Sequence, residues 1–202
     1  MTTHVPDRPL GTTPPGSPRD EAGELLDSAA IARTLARLAH EVIERAPELV
    51  DVVLVGIHTR GVPLAVRLQK LIAERSGFEL PVGELDITLH RDDRDERSSD
   101  TGGVGRATHI PAPLTGRTVV LVDDVLSTAR TVRAAIDTLL EHGRPARIEV
   151  AVLVDRGHRE LPIRPDYVGK NLPTARGERI QVQLAEVDGI DRVVLQRERP
   201  DG

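Results

Sequence analysis

The chain has 202 residues, no cysteine and a formal net charge of −5, so its length fits one ordinary domain and excludes a disulfide framework and a thiolate metal site. One phenylalanine, one tyrosine and no tryptophan require an aliphatic core and disfavour nucleic-acid binding by base stacking. The acidic total still allows a local basic face. No apolar run approaches the roughly 20 residues of a membrane span, and the N-terminal segment has no apolar h-region, so we do not expect it to be a signal peptide. We therefore expect a soluble, cytoplasmic protein without a membrane partner.

The first part of the chain predicts a tail and then a helix. Residues 1–22 are rich in Pro, Gly and Thr and lack periodicity, which is typical of a disordered tail before a single domain over residues 23–202. Asp27 or Ser28 can cap the helix and Pro47 ends it. Its core face is predicted to hold Ile31, Leu35, Leu38, Val42 and Ile43.

Aliphatic runs predict buried parallel strands at Val50–Gly56, Thr118–Val122 and Arg147–Gly157. The segment "GELDITLHRDD" predicts another strand because its apolar residues alternate (Leu85, Ile87 and Leu89). Amphipathic helices follow the first two runs, one packing through Leu64, Leu68, Leu71 and Ile72, the other through Val132, Ala135, Ile136, Leu139 and Leu140. The pattern predicts an α/β fold with a doubly wound, mostly parallel sheet. Right-handed crossovers then bring the loops "GIHTRG" and "DDVLSTART" to one edge.

Two segments lack this alternation. Residues 90–108 mix arginines and acids with Ser and Gly and have no apolar pattern, which is typical of a mobile lid or of disorder. Residues 158–202 contain turns and two alternating strands, Ile180–Leu184 and Arg192–Gln196. We expect this region to form a small C-terminal hood over the strand ends.

The stretch "VVLVDDVLSTART" places two carboxylates, Asp123 and Asp124, at a strand end and a Ser/Thr-rich turn directly after them. If the turn opens a helix, the backbone N–H groups of Ser127–Thr131 lack helical partners and suit a phosphate. Carboxylates accept hydrogen bonds from vicinal hydroxyls. The spacing therefore indicates a sugar phosphate, with its diol on the acids and its phosphate on the turn.

Other interpretations of this stretch differ in what they require. A Walker B strand also ends in acids, but it needs an upstream Gly-Lys-Ser/Thr, and the only Gly-Lys here, Gly169-Lys170, is followed by Asn171. An aspartate nucleophile of a receiver or phosphatase stays open, although the sequence supplies no clear partner set. The non-functional alternative is a solvated strand end with an ordinary helix cap.

The strand, the two acids and the turn resemble the phosphoribosyl pyrophosphate (PRPP) motif of type I phosphoribosyltransferases. The segments "VGIHTRG", "GELDITLHRDD" and above all "LVDRGHRELPIR" resemble the PyrR family of bifunctional pyrimidine operon regulators and uracil phosphoribosyltransferases, from about residue 25 onward. The resemblance implies that uracil and PRPP give UMP and diphosphate, with Mg²⁺ carried by PRPP. It also implies a homodimer or higher homo-oligomer.

The resemblance assigns roles to individual residues. Asp123 and Asp124 bind the ribose hydroxyls and contact Mg²⁺ through PRPP. The PRPP and nucleotide site as a whole comprises Asp123, Asp124, Val125, Leu126, Ser127, Thr128, Ala129, Arg130 and Thr131. The pyrophosphate loop comprises Thr59, Arg60 and Gly61, in which Arg60 supplies a counter-charge and Gly61 permits close backbone approach. Arg91 belongs to the flexible loop, and Arg156 and Val168 to the uracil site under the hood.

Two residues depart from the family motif. Ser127 stands where relatives usually carry an aromatic residue, and Ala129 where they usually carry Gly. If φ at Ala129 is positive, strain of roughly 1–2 kcal/mol weakens PRPP binding; if φ is negative, the cost is slight.

The family also binds a stem-loop in the leader of pyrimidine-operon mRNA, promoted by uridine nucleotides such as UMP and UTP, and so attenuates transcription. Five cationic residues are candidates for this contact: His40, Arg45, Arg159, Arg164 and Lys170. With few aromatics, readout of shape and backbone is expected to dominate. One alternative is an RNA-binding nucleotide sensor with weak or lost transferase activity. Another is a transferase for a different base.

Overall fold

The computed structural model describes residues 21–46, 48–88, 107–175 and 177–197. Within them the elements follow in the order β1 (Glu21–Leu26), α1 (Ser28–Arg45), β2 (Val52–Ile57), α2 (Gly61–Ser76), β3 (Val82–Leu85), β4 (Thr118–Leu126), α3 (Arg130–Glu141), β5 (Arg147–Asp155), β6 (Tyr167–Asn171), β7 (Glu178–Gln183), α4 (Ala185–Asp188) and β8 (Arg192–Arg197). The predicted flexible loop with Arg91, apart from residues 107 and 108, lies outside the described residues, as do Pro47, Leu89 and residues 1–20 of the predicted tail.

The main sheet has five strands in the order β3-β2-β4-β5-β6, and every neighbouring pair is parallel. All six residues of β2 are buried, as expected for an aliphatic strand covered on both faces. The predicted α/β fold with a parallel sheet is confirmed. The loops after β2 and β4 lie at the same edge, because parallel strands end on the same side.

Helices cover both faces of the main sheet. α1 and α2 bury one set of aliphatic side chains against β2, β4 and β5, including Ile31, Leu38 and Leu68. α3 packs on the opposite face through Ala135 and Leu139. None of the helices in the described part of the chain is long and apolar enough to cross a bilayer.

A second sheet forms the hood, with the antiparallel order β1-β8-β7. It differs from the hood expected over residues 158–202 in two ways. The hood takes β1 from the other end of the chain, beginning at Glu21 within the segment assigned to the tail, and β6 leaves the hood region to become an edge strand of the main sheet. β1 has no alternating apolar pattern, so pairing with β8 makes it a strand.

Several element boundaries differ from the sequence expectation. Val50 lies in a 3₁₀ turn and is 54% exposed, because β2 begins only at Val52. Leu140 is 50% exposed, since the buried stripe of α3 runs through Leu139, about 100° away around the helix. β3 ends at Leu85, although Ile87 is buried as expected.

Candidate functional site

The two acids lie inside β4 and not after it, because the strand continues to Leu126. Leu121 packs in the core beneath α3 and Val122 in the core beneath α2. Strand alternation therefore directs Asp123 toward the α3 side and Asp124 toward the α2 side. Alternation thus places the two carboxylates on opposite faces of the sheet near the end of β4.

Both carboxylates are tied to the backbone beside them. Asp123 is 7% exposed and its Oδ1 accepts from the Asp124 N–H at 3.0 Å, while Asp124 Oδ1 accepts from the Val125 N–H at 2.8 Å. Burial raises the pKa of Asp124, and the Val125 N–H and the charge of Arg60 oppose that rise. Arg60 is thus the cation that stabilises the ionised form of Asp124.

The turn at residues 127–129 connects β4 to α3, which begins at Arg130 and not at Ser127 as expected. The carbonyl groups of Ser127 and Thr128 face segment 156–163, and that of Ala129 accepts from the Arg133 N–H of α3 at 3.0 Å. Ser127 O accepts from Arg159 Nη1 at 2.8 Å, and Thr128 O accepts from the N–H groups of Glu160 and Leu161, both at 3.1 Å. The acceptor side of the turn is therefore occupied by the protein itself.

The donor side of the same turn is open. The backbone N–H groups of Ser127, Thr128 and Ala129 have no hydrogen-bond acceptor among the described residues. The Ser127 hydroxyl oxygen is buried and has no partner there either. Open N–H groups before a helix N-terminus favour an anion, so this geometry suits a phosphate.

Ala129 has φ 73° and ψ 8° and is 2% exposed. This left-handed conformation favours glycine. The structure therefore has the positive φ for which strain is expected at Ala129, and not the negative φ for which the cost is slight.

The remaining members of the predicted nucleotide site contribute differently. Leu126 is buried in one hydrophobic cluster and Val125 packs against another, so their side chains belong to the core and not to the site. The Arg130 side chain pairs with Glu160 at 2.7 Å. Thr131 lies in the first turn of α3.

The second loop at this edge precedes α2. A Cβ added to Gly61 would lie 2.2 Å from the carbonyl oxygen of Val122, so Gly61 allows the start of α2 to abut β4. Thr59 is exposed, and the His58–Thr59 peptide is cis. The close approach predicted at Gly61 is thus an approach to the neighbouring strand.

Arg60 lies between this loop and the hood. Its Nε and Nη2 donate to the two carboxylate oxygens of Asp188 at 3.0 and 2.7 Å. Asp188 was not singled out from the sequence, because it is 128 residues from Arg60 and no spacing rule connects them. The hydrogen bond to Asp188 raises the pKa of Arg60 above its usual range.

A cleft of about 450 Å³ opens beside β5 and β6, lined in part by Asp155, Arg159, Arg164, Val168, Asn171 and Pro173. Of the two residues assigned to uracil, Val168 lines this cleft and Arg156 does not. Arg156 donates to Glu178 O at 3.1 Å, and burial together with the charge of Arg179 lowers its pKa. The structure therefore does not bring Arg156 and Val168 together in this cleft.

The five cations assigned to RNA fall into two groups. Arg45 donates to Asp166 O and covers the Tyr167 ring, and Arg159 is held by Asp155, Ile163 O and Ser127 O. His40 is exposed and 3.2 Å from Glu44. Arg164 and Lys170 are exposed and have no side-chain partner among the described residues. Only these last two therefore combine exposure with a full set of unused donors.

No group of three or more His, Cys, Asp or Glu side chains suited to hold a metal ion occurs within the described ranges. The oxygen donors of Asp123 and Asp124 are of the type that Mg²⁺ prefers. Two carboxylates fit a Mg²⁺ that arrives with a phosphorylated ligand.

The parallel α/β sheet, the two acids near the end of β4 and the open N–H groups of the following turn are the features of a phosphoribosyltransferase, which is the class of this protein. The phosphoribosyl transferase domain family matches residues 21–186. Two solved structures share the fold at low sequence identity. They are a hypoxanthine phosphoribosyltransferase from Trypanosoma cruzi (TM-score 0.64, 19% identity, covering 88% of this chain and 96% of that one) and a hypoxanthine-guanine phosphoribosyltransferase from Bacillus anthracis (TM-score 0.63, 20% identity, 88% and 99%).

Similarity to curated proteins is much higher. The bifunctional protein PyrR of Halalkalibacterium halodurans is 55% identical over 173 residues, which cover 86% of this chain and 96% of that protein. The bifunctional protein PyrR of Chloroflexus aurantiacus is 57% identical over 174 residues (86% and 94%), and that of Thermus thermophilus 55% over 177 residues (85% and 94%). The chain therefore belongs to the PyrR family of phosphoribosyltransferases.

Proposed function

We propose that this phosphoribosyltransferase joins uracil to PRPP and releases UMP and diphosphate. Uracil N1 bonds to ribose C1′, the bond from C1′ to the pyrophosphate oxygen breaks with its electron pair going to diphosphate, and N1 loses its proton. The chain contributes positioning, charge stabilisation and exclusion of water. The hood contacts Arg60 through Asp188, so it can help to exclude water from the site.

The polarity of the turn at residues 127–129 carries the proposal. Its carbonyl groups accept hydrogen bonds from segment 156–163 and from α3, and its N–H groups have no acceptor in the described part of the chain. A 5′-phosphate on these donors places the ribose over the end of β4, between Asp123 and Asp124. Arg60, beside Asp124, then lies on the side of the departing diphosphate.

Mg²⁺ enters this proposal with PRPP. Asp123 and Asp124 are the residues that would contact it, because hard cations prefer carboxylate oxygens and Mg²⁺ keeps several waters. When bound, the ion neutralises charge on the pyrophosphate.

The direct test measures UMP formation from uracil, PRPP and Mg²⁺, together with calorimetric binding of UMP. We expect turnover and a Kd for UMP that rises at least tenfold in an Asp123→Asn, Asp124→Asn double variant, because both hydroxyl acceptors lose their charge. A folded wild-type protein that binds neither UMP nor PRPP would contradict the proposal.

We also propose that the chain binds the leader of pyrimidine-operon mRNA in the presence of uridine nucleotides and thereby attenuates transcription. Arg164 and Lys170 are the cations best suited to phosphate contacts, since both are exposed. Hydrogen bonds from Glu160 and Leu161 to Thr128 O connect their segment to the phosphate turn, which gives a route for dependence on nucleotide. The substrates and the RNA are both cytoplasmic, so we place the activity there, in a homodimer or higher homo-oligomer.

A second candidate is a nucleotide sensor that binds RNA but transfers phosphoribose weakly or not at all. The strained φ of Ala129 is the observation behind it: a less populated phosphate turn lowers affinity for PRPP and so slows transfer, whereas a nucleotide at higher concentration can still fill the site. UMP binding without UMP formation would support the sensor over the enzyme.

A further inference from the structure

Two arginines connect the α2 region to the hood through ion pairs with acids in and after α4. Arg60, at the start of α2, pairs with Asp188. Arg67, two turns further along the helix, binds Glu186 and Asp191 through contacts of 2.6–2.9 Å. Both clusters attach α4 and the loop after it to α2, but only Arg60 also interacts with an acid of β4, Asp124.

The pair between Arg60 and Asp188 uses one edge of the guanidinium. Nε and Nη2 donate to the carboxylate, whereas Nη1 has no partner among the described residues. A guanidinium carries five N–H donors in a rigid plane. Asp188 therefore leaves the end of the plane, with both Nη1 hydrogens, able to bind a second oxyanion.

Asp188 is itself held in place. Its Oδ2 accepts from the backbone N–H of Leu184 at 2.9 Å, and Leu184 is fully buried. The carboxylate is 15% exposed and the Arg60 side chain 27%. Asp188 thus connects Arg60 to a backbone anchor in the hood and restricts the rotamers of a long, otherwise mobile side chain.

We propose that Asp188 is a positioning residue that holds Arg60 by one edge and directs its other edge to the pyrophosphate of PRPP. This inference rests on the proposed transferase function. The opposite role, in which Asp188 competes with pyrophosphate for Arg60, would require the ligand to displace the carboxylate. The free Nη1 edge favours shared binding, because no displacement is needed.

The test compares Asp188→Asn with Asp191→Asn. Both variants remove one hood carboxylate bound to an arginine of the α2 region, but only the first releases Arg60. In Asp188→Asn the amide oxygen can still accept from Leu184 N–H, whereas the bidentate pair is lost. We expect KM for PRPP and the Kd of inorganic pyrophosphate to rise about 3- to 10-fold, as for an immobilised side chain that becomes free. The Kd of UMP, which lacks pyrophosphate, should stay unchanged.

Asp191→Asn is expected to lower Tm about as much as Asp188→Asn does, because each loses one ion pair between the hood and the α2 region. It should not change KM for PRPP. Asp188→Glu, which keeps the charge, should retain pyrophosphate affinity within about threefold, and it replaces the Asn variant if that one fails to fold. In an Arg60→Met background, Asp188→Asn should have no additional effect on pyrophosphate binding, since the two residues act as one unit.

Three results would overturn the inference. Tighter pyrophosphate binding by Asp188→Asn would identify Asp188 as a competitor. Equal losses of PRPP and UMP affinity in both Asn variants would assign the effect to hood docking in general. A wild-type protein that binds UMP but neither PRPP nor pyrophosphate would remove the role of Arg60 and leave the nucleotide site intact, whereas failure to bind any of the three would refute the proposed function itself.

Discussion

Ala129 combines a positive φ with a buried methyl group at the last residue of the turn at residues 127–129. We expect Ala129→Gly to raise the affinity for UMP and PRPP by up to about 5- to 30-fold, because strain of roughly 1–2 kcal/mol no longer opposes the conformation of the turn at residues 127–129. Stability should change little, since the lost methyl and the added chain entropy offset the relief. Calorimetric titration with both ligands measures the effect.

Ala134→Gly provides the matched control, because Ala134 is also buried but lies within α3. It should lower stability by about 1 kcal/mol through helix propensity and leave ligand affinity unchanged. If Ala129→Gly also leaves affinity unchanged, the bonds from segment 156–163 hold the turn in place regardless of φ.

Gly61 provides a second prediction at the scale of one residue. Gly61→Ala introduces a Cβ 2.2 Å from Val122 O, so the start of α2 must move away from β4. We expect a loss of about 1–3 kcal/mol in unfolding free energy, as for overpacking, and weaker PRPP binding because Arg60 moves with the helix. Chemical denaturation and titration would measure both; an unchanged protein would show that α2 can shift freely.

The segment from Asp155 to Lys170 is the element on which the RNA proposal depends. An Arg164→Ala, Lys170→Ala double variant should weaken leader RNA binding and reduce the slope of log K against log salt by about 2, one for each lost phosphate contact. Arg159→Ala is a poorer probe, because Arg159 also holds Ser127 O. Filter binding across a salt series provides the measurement.

Lys70→Ala is the control for that experiment, since Lys70 is an exposed cation on α2. It should leave both the affinity and the slope unchanged. Equal effects of Lys70 and of the pair would indicate non-specific attraction.

The ion pairs between the hood and α2 predict a dependence on pH. Hydrogen bonds from Arg67 hold the pKa values of Glu186 and Asp191 below their usual range. A carboxylate with a lowered pKa contributes stability above its unfolded value, near 4.5 or 3.8 here, and loses it as pH falls through the folded value. The Tm difference between wild type and Arg67→Met should therefore be largest at pH 7 and shrink below about pH 4.

Arg133→Met is the matched control, because its pair with Asp137 is exposed on α3. Exposed ion pairs contribute little to stability, so the Tm of Arg133→Met should match that of wild type at pH 7 and at pH 3. A Tm difference for Arg67→Met that persists at pH 3 would assign the effect to packing of the side chain.

Local sequence patterns predicted the elements whose apolar residues show a clear run or period within the element itself. The aliphatic run of β2 from Val52 onward and the stripe of α1 formed as expected, apart from the half-buried Ile43, because burial and period are local properties. β1 and the pair between Arg60 and Asp188 could not be predicted. "EAGELL" becomes a strand only by pairing with β8, and Asp188 acquires its partner through tertiary contact.

At the scale of the whole molecule, the hood joins both ends of the described chain. A variant that begins at residue 27 lacks β1 and uncovers β8, whose Val193 and Val194 are fully buried. We expect it to lose about 2 kcal/mol or more from Leu26 alone, seen as a lower Tm. A variant that begins at residue 21 keeps β1 and should match wild type; equal Tm values for both would show that β1 contributes nothing to the hood.

The pairing of β1 with β8 also affects the order in which the two sheets can form during synthesis. During translation, β1 is made before the strands of the main sheet and β8 after them, so β1 stays unpaired while the parallel sheet assembles. Closing so long a loop is entropically costly and slow. The main sheet can therefore form before β8 has been made, and the hood closes only when β8 pairs with β1.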